Sequence, residues 1–490
     1  MVNYPVGIRS LAVRFPSMIK TNNSDLTAQN LPRRTRQTNL DKLDIWSQEV
    51  APFLSDPFRG NVERRVVAPD ETSLMLECQA AQDALKAAEL EPADIDLAIA
   101  SSLFPEQIIH GNATNLARKL NLRCPAWNLE STCSSALIAL QNAWALIQTG
   151  AYRRVLVVTS HIGSNSVDEE DTLAWSMGDA AGAFVVDTLT ANQGILGMKI
   201  INTGITAGAY QHELITDNRG NLRISTKTGE NVSMLAETAV DFVRTCCQEA
   251  VASAGLTLEQ IDFFAFNTPT AWYTNVCVRA LEIESDRTIN LYPRYANIGP
   301  VFPIANLYHA SLEGQIQEND LVLIYTNGAG ATAGAVVMRW GDVALGSVPI
   351  PPINTILNQK KADSDIPPTV KPIIKTDFSQ TQLLAISPQE RRQKLEIYLI
   401  EILTELLKIP SEQINNQQSF SYLIDSLIAL ELRRKIESDL QLSVPMEKFF
   451  QDSNINKVVN FLMDKLAISF LTFSPSLSSE FPENMEEIIL

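Results

Sequence analysis

The sequence predicts an α/β architecture for its first ~340 residues, followed by a proline-rich stretch and a small all-helical unit. Three observations carry this. Apolar strand-like runs alternate with helix-like segments through the first part, the pattern of a sheet covered by helices. The segments Gly178–Val186 and Gly330–Val337 echo each other, each a small-residue turn running into a β-branched strand, which suggests a duplicated half-domain. The composition then changes sharply after Arg339-Trp340, where periodicity is lost and prolines gather at 349, 351, 352, 367, 368 and 372.

In chain order, Leu97–Ala100, Val155–Val158, Phe184–Val186, Phe263–Phe266 and Val322–Tyr325 read as buried strands. Trp127–Leu137 reads as strand, tight turn and helix. That helix, from about Ser134 to Gln148, is apolar almost all round and therefore belongs inside the molecule, with Gly150 as its stop. A connection as long as 345–385 without internal structure is uncommon inside a compact domain, so it reads as a linker between units. Beyond it, one helix runs from near Gln389 to Leu407 with Leu395, Leu399, Ile402 and Leu406 on one side. A second runs from Ser426 to about Leu440 and a third over about 456–466. The division expected is 1–344, a linker at 345–385, a helical unit at 386–468 and an acidic, mobile tail at 469–490.

Composition narrows the function. The chain of 490 residues carries 39 Lys+Arg against 56 Asp+Glu, a net charge of −17, which argues against binding nucleic acid by counterion release. No apolar run is long enough to span a bilayer, and the start of the chain does not resemble a signal peptide, so no membrane association is expected. The six cysteines are scattered without CxxC spacing, the pattern of a reduced, cytoplasmic protein with no metal site.

One of those cysteines stands apart. Cys133, within Ser131-Thr132-Cys133-Ser134-Ser135, sits at the N-terminus of the buried helix. Unpaired N–H groups and the helix dipole there favour a thiolate, and the same N–H groups can stabilise an oxyanion on an attached thioester. The other five cysteines read as small apolar core residues.

Cys133 at a buried-helix start, the glycine turn after Trp175 and the closing run Gly328–Ala335 together resemble the β-ketoacyl-acyl-carrier-protein synthase III family of thiolase-like condensing enzymes, over about residues 5–340. The resemblance implies a thiolase-like duplicated domain of five layers, α-β-α-β-α, and a homodimer. It also implies a cysteine that self-acylates from an acyl-CoA or acyl-carrier thioester and then condenses that group with a malonyl unit. The backbone N–H groups of Cys133 and Gly330 match the family's oxyanion hole. Its active-site asparagine is matched by Asn297, in Tyr295-Ala296-Asn297-Ile298-Gly299. Its histidine is not matched: counting back from the following helix places Asn267 in that slot, and a shifted alignment places Thr270 there. Neither is a base, although Asn267 can donate a hydrogen bond. Of the four histidines, His212 is the leading substitute, while His161 reads as a satisfied polar residue, His309 as an exposed helical one, and His110 as unassigned.

In the helical unit, Asp425-Ser426-Leu427 opens an amphipathic helix, and the segments around it resemble an acyl carrier domain over about 80 residues. The resemblance implies covalent 4′-phosphopantetheine on Ser426, with a phosphopantetheinyl transferase and downstream synthase modules as partners; the usual glycine three positions before the serine is Leu423. The expected function is acyltransfer from a thioester through Cys133 to the arm on Ser426, in polyketide- or lipopeptide-type metabolism rather than bulk fatty acid biosynthesis. The alternatives are decarboxylative 3-oxoacyl synthesis, O- or N-acyl transfer, and a silent carrier scaffold.

Overall fold

The computed structural model describes residues 4–22 and 44–349, apart from 55, 57, 107–109, 169–170 and 217–221. It also describes 382–473, apart from 384–385, 408–410, 412–413, 415, 418–425, 443 and 450–452. Most of the expected linker, the Leu423 loop and most of the expected tail therefore lie outside the described residues. The chain forms two compact units, divided near Ser364.

The first unit contains two principal sheets with the same internal plan. In one, the strand Leu97–Leu103 pairs parallel with Val155–Ile162, which pairs antiparallel with Asp179–Thr188, which pairs antiparallel with Val6–Arg14. The other repeats this sequence of pairings with Phe263–Phe266, Leu321–Asn327, Thr332–Arg339 and Gly194–Asn202. The two echoed glycine-rich segments fall on Asp179–Thr188 and Thr332–Arg339, equivalent strands of the two halves, so the repeat in sequence is a repeat in topology. The first sheet is extended by Ala344–Leu345 at one edge and Ala126–Asn128 at the other.

Helices complete five layers. Ser135–Gln148 and Phe302–Leu312 lie between the sheets and touch both. Their apolar composition fits that place: Leu137, Leu140 and Ile147 of the first and Phe302, Ile304 and Leu307 of the second are buried. Ser73–Ala87 covers the outer face of the first sheet and Ala239–Ser253 that of the second. The thiolase-like α-β-α-β-α arrangement is thus present, and all five strands read from apolar runs occur where expected.

The second unit is a helical bundle. Pro388–Leu407 buries Leu395, Leu399, Ile402 and Leu406, the same four residues its periodicity selects. They pack with Leu432, Ile436, Phe449, Val459 and Leu462 in one core. Ser426–Leu440 matches its expected bounds, whereas the last helix, Ile455–Phe473, runs past residue 468 into the stretch read as tail. Its apolar composition sustains the helix over those extra residues, where no glycine or proline interrupts it.

Candidate active site

Cys133 lies in a single 3-10 turn, Thr132–Ser134, that feeds the interior helix Ser135–Gln148. Thr132 just before it has φ +50°, a left-handed conformation that costs energy for a β-branched residue and marks a tightly held turn. The hydroxyls around the cysteine hold it. Ser135 Oγ accepts from Ser131 N and donates to Thr132 O, both at 2.8 Å. Ser131 Oγ lies 2.5 Å from Thr332 Oγ1, and Ser134 Oγ donates to Thr332 O at 2.7 Å. The serines flanking Cys133 therefore staple its turn to the first residue of a strand in the other half. Close approach of that strand requires Gly328, where a Cβ would stand 2.4 Å from Thr132 Oγ1 and 2.5 Å from Ser131 O.

The electrostatics differ from expectation. Burial pushes the Cys133 thiol up to about 11, and only its own backbone N–H opposes this. Cys133 is half-buried and precedes the first α-helical residue, so it stands outside the regular helix whose dipole was expected to act on it. At neutral pH the sulfur is a thiol. The other cysteines fit their core reading: Cys78, Cys246, Cys247 and Cys277 are buried, and Cys124 is half-buried.

The second correction concerns Gly330. Its N–H, expected in the oxyanion hole, donates instead to Thr206 Oγ1 at 2.8 Å, and Thr206 in turn donates to Thr203 O. A threonine hydroxyl thus occupies the donor that the resemblance assigned to substrate.

Asn297 and Asn267 meet at one residue, Gly299. Asn297 Oδ1 accepts from Gly299 N at 2.9 Å, and Asn267 Nδ2 donates to Gly299 O at 3.2 Å. The turn Gly299–Val301 packs against the Cys133 turn, so both amides are organised on an element beside the cysteine. Asn267 is fully buried, its N–H bonded to Tyr325 O, and its Oδ1 finds no partner among the described residues. Asn297 is half-buried, and no hydrogen bond from its Nδ2 occurs among the described residues. Thr270, the other occupant considered for the histidine slot, has a buried, unpartnered hydroxyl.

No hydrogen bond joins a histidine to Cys133 among the described residues. His212, placed in a loop by the sequence reading, lies on an exposed strand, Tyr210–Thr216, with Nδ1 3.1 Å from Thr226 Oγ1. His309, read as exposed, is buried, with Nε2 3.2 Å from Tyr295 OH, because its helix is wrapped by core on all sides. His110 is exposed. His161 is buried, and desolvation pushes it down to about 4, so it stays neutral. The reading of single residues missed Tyr210 beside Cys133; burial raises its phenol to about 12.

In the second unit, Ser426 is the first residue of the 15-residue helix Ser426–Leu440. A hydroxyl-bearing residue at a helix start fits a phosphodiester, since the free N–H groups of the first turn favour its negative charge.

Comparison with known proteins agrees with both units. The family model described as 3-oxoacyl-[acyl-carrier-protein (ACP)] synthase III matches residues 127–215, and the model of its C-terminal part matches 251–340. A phosphopantetheine attachment site model matches 398–462. A Brucella canis protein named beta-ketoacyl-[acyl-carrier-protein] synthase III is 29% identical over 292 residues, covering 57% of this chain and 88% of the relative. One of the same name from Chelativorans is 28% identical over 322 residues, covering 63% and 96%. Among solved structures, 3-oxoacyl-[acyl-carrier-protein] synthase III from Aquifex aeolicus matches with TM-score 0.56 and 26% identity, covering 68% of this chain and all of that one. The priming beta-ketosynthase of the R1128 polyketide pathway, at 19% identity and TM-score 0.57, shares the fold, covering 69% of this chain and 97% of its own.

The first unit is a thiolase-like domain of the acyltransferase class. More particularly, the chain joins a β-ketoacyl-acyl-carrier-protein synthase III-like domain to a C-terminal phosphopantetheine attachment domain, which carries 4′-phosphopantetheine covalently on a serine. Among the described residues no helix is long and apolar enough to cross a membrane.

Proposed function

We propose that Cys133 takes an acyl group from an acyl thioester and hands it to the chain's own carrier domain, in a specialised polyketide- or lipopeptide-type pathway. The observation that carries this is Asn267. The strand end that would present a histidine presents a buried amide already committed to Gly299 O, which neither takes up a proton nor carries charge. Decarboxylation depends on stabilising an enolate oxygen, and loss of one such donor typically costs about 3–4 kcal/mol in the barrier. Thioester exchange at Cys133 makes no such demand.

The remaining residues suit that exchange. Cys133 is the acyl acceptor, fixed by the serine cage, and its N–H polarises the thioester carbonyl. Asn297 Nδ2 supplies the free donor for the second half-reaction. Asn267 holds Gly299, and with it the turn beside the cysteine. When attached at Ser426, 4′-phosphopantetheine supplies a thiol at the end of a flexible arm. The stretch 345–385 tethers the two units, and an extended chain of that length reaches on the order of 100 Å. A phosphopantetheinyl transferase prepares the carrier, and downstream synthase modules receive the acyl group. The first unit pairs as a homodimer, and the protein works in the cytoplasm.

The test is the mass of the Ser426 peptide after pantetheinylated protein meets acetyl-CoA and malonyl-CoA together. A simple acyl adduct supports the proposal. A β-ketoacyl adduct establishes decarboxylative condensation instead, an acylated Cys133 with an unloaded arm points to an external O- or N-acceptor, and absence of acylation leaves a silent scaffold.

A further inference from the structure

We propose that His161 is a positioning residue: it fixes the turn at Gly299, to which Asn297 and Asn267 are both bonded, during the half-reaction that empties acyl-Cys133. The inference rests on the reading of Cys133 as the acyl-bearing residue. His161 stands near the end of the strand Val155–Ile162 and is 4% exposed. Its Nδ1 lies 2.8 Å from Gly178 O; a carbonyl only accepts, so Nδ1 carries the proton and donates. Gly178 N donates to Asn297 O at 3.0 Å, and Asn297 N donates to Ser176 O at 2.8 Å. Asn297 Oδ1 then receives Gly299 N, and Gly299 O receives Asn267 Nδ2.

The circuit closes sterically on the imidazole. Gly299 has φ +53°, and a Cβ there would stand 2.7 Å from His161 Cδ2. On the other side a Cβ at Gly163 would stand 2.4 Å from Cε1. The ring thus fills a slot between two glycines, and Phe104 meets it edge-on at 5.7 Å between centroids. Hydrogen bond and ring volume together lock Gly178, Asn297 and Gly299 in mutual register, and both amides depend on that register. The serine hydrogen bonds that hold the Cys133 turn are separate from those of His161, so loading of the sulfur is expected to depend on the His161 contacts less than emptying does.

The experiment separates the two half-reactions in the full-length pantetheinylated chain, with acetyl-CoA as donor and malonyl-CoA added for the emptying step. Acetylation of the Cys133 peptide and its subsequent loss are followed by mass spectrometry for wild type, His161→Leu and His161→Asn. Leu removes the donor, whereas the Asn amide can donate to Gly178 O in place of Nδ1. The expected result for H161L is Cys133 loading within about twofold of wild type and emptying slowed on the order of 10- to 100-fold. In H161N, emptying recovers at least tenfold of that loss. Emptying of H161L at the wild-type rate, equal loss of both half-reactions, or slow emptying in H161L that H161N does not relieve would each overturn the proposal. Loss of acetyl from Cys133 is read whatever product forms, so a β-ketoacyl product in wild type would revise the proposed function and leave this comparison intact.

Discussion

Cys133 begins its reaction as a thiol. With burial holding the sulfur near 11, the thiolate fraction rises about tenfold per pH unit across the neutral and mildly alkaline range. Alkylation of Cys133 by iodoacetamide is therefore expected to accelerate log-linearly from pH 7 to 9; a plateau below pH 7 would show a depressed value instead. Asn267 offers a second test at this scale. Replacing it with His restores a stronger donor at the end of the strand, and N267H is expected to gain malonyl-dependent β-ketoacyl formation by roughly 100-fold, measured as condensed product per Cys133. The place of Cys133 at the mouth of an interior helix was legible because a short run of hydroxyls precedes that helix. Its protonation state was not, since desolvation depends on what the rest of the chain places around the sulfur. His309 and His161 show the same limit: one lies on a helix and the other at a strand end, and only packing makes both buried and neutral.

The active-site turn is an element held by another element. Thr332 opens the strand Thr332–Arg339 in the second half, yet its hydroxyl and carbonyl fasten Ser131 and Ser134 of the first. That cross-brace explains both the serines and the glycine at 328. The variant Gly328→Ala introduces a methyl group at 2.4 Å from Thr132 Oγ1 and 2.5 Å from a backbone oxygen, which flexible side chains cannot relieve. Acylation of Cys133 in G328A is expected to fall by about 100-fold at saturating acetyl-CoA, with the melting temperature showing whether the fold is kept. Regular elements were largely readable: the five apolar strands, the interior helix and the face of Pro388–Leu407 follow from periodicity alone. The hairpin Tyr210–Thr216 with Leu222–Thr228 was missed because its exposed, polar sequence carries no apolar stripe. The engagement of Gly330 N–H by Thr206 was equally hidden, since the two are 124 residues apart.

At the scale of the molecule, duplication places two interior helices between two matched sheets, and the Cys133 turn lies where the halves meet. The repeated glycine-rich segments announced this arrangement, and the composition break announced the second unit. The same burial that shapes the site also stores a pH dependence. Glu77 is fully buried and accepts from Ser102 Oγ and Ser160 Oγ at 2.6 Å and Asn112 Nδ2 at 2.9 Å. Desolvation nevertheless raises its carboxyl to about 7. The native state therefore favours the protonated acid, and stability falls as pH rises from about 4.3, the unfolded value, to about 7, then levels. The loss is on the order of 3 kcal/mol. Glu77→Gln is accordingly expected to raise the melting temperature at pH 8.5 and leave it nearly unchanged at pH 4; a gain that is equal at both would contradict the assignment.

Passage of cargo between the two units is followed most directly by a single-turnover time course. Pantetheinylated protein is given a limiting pulse of acetyl-CoA, and the Cys133 and Ser426 peptides are weighed at each time. Acetyl on Cys133 should rise first and decay at the rate at which acetyl appears on the Ser426 peptide, with neither signal in Cys133→Ala. Loading of Ser426 in C133A at the wild-type rate would contradict the account.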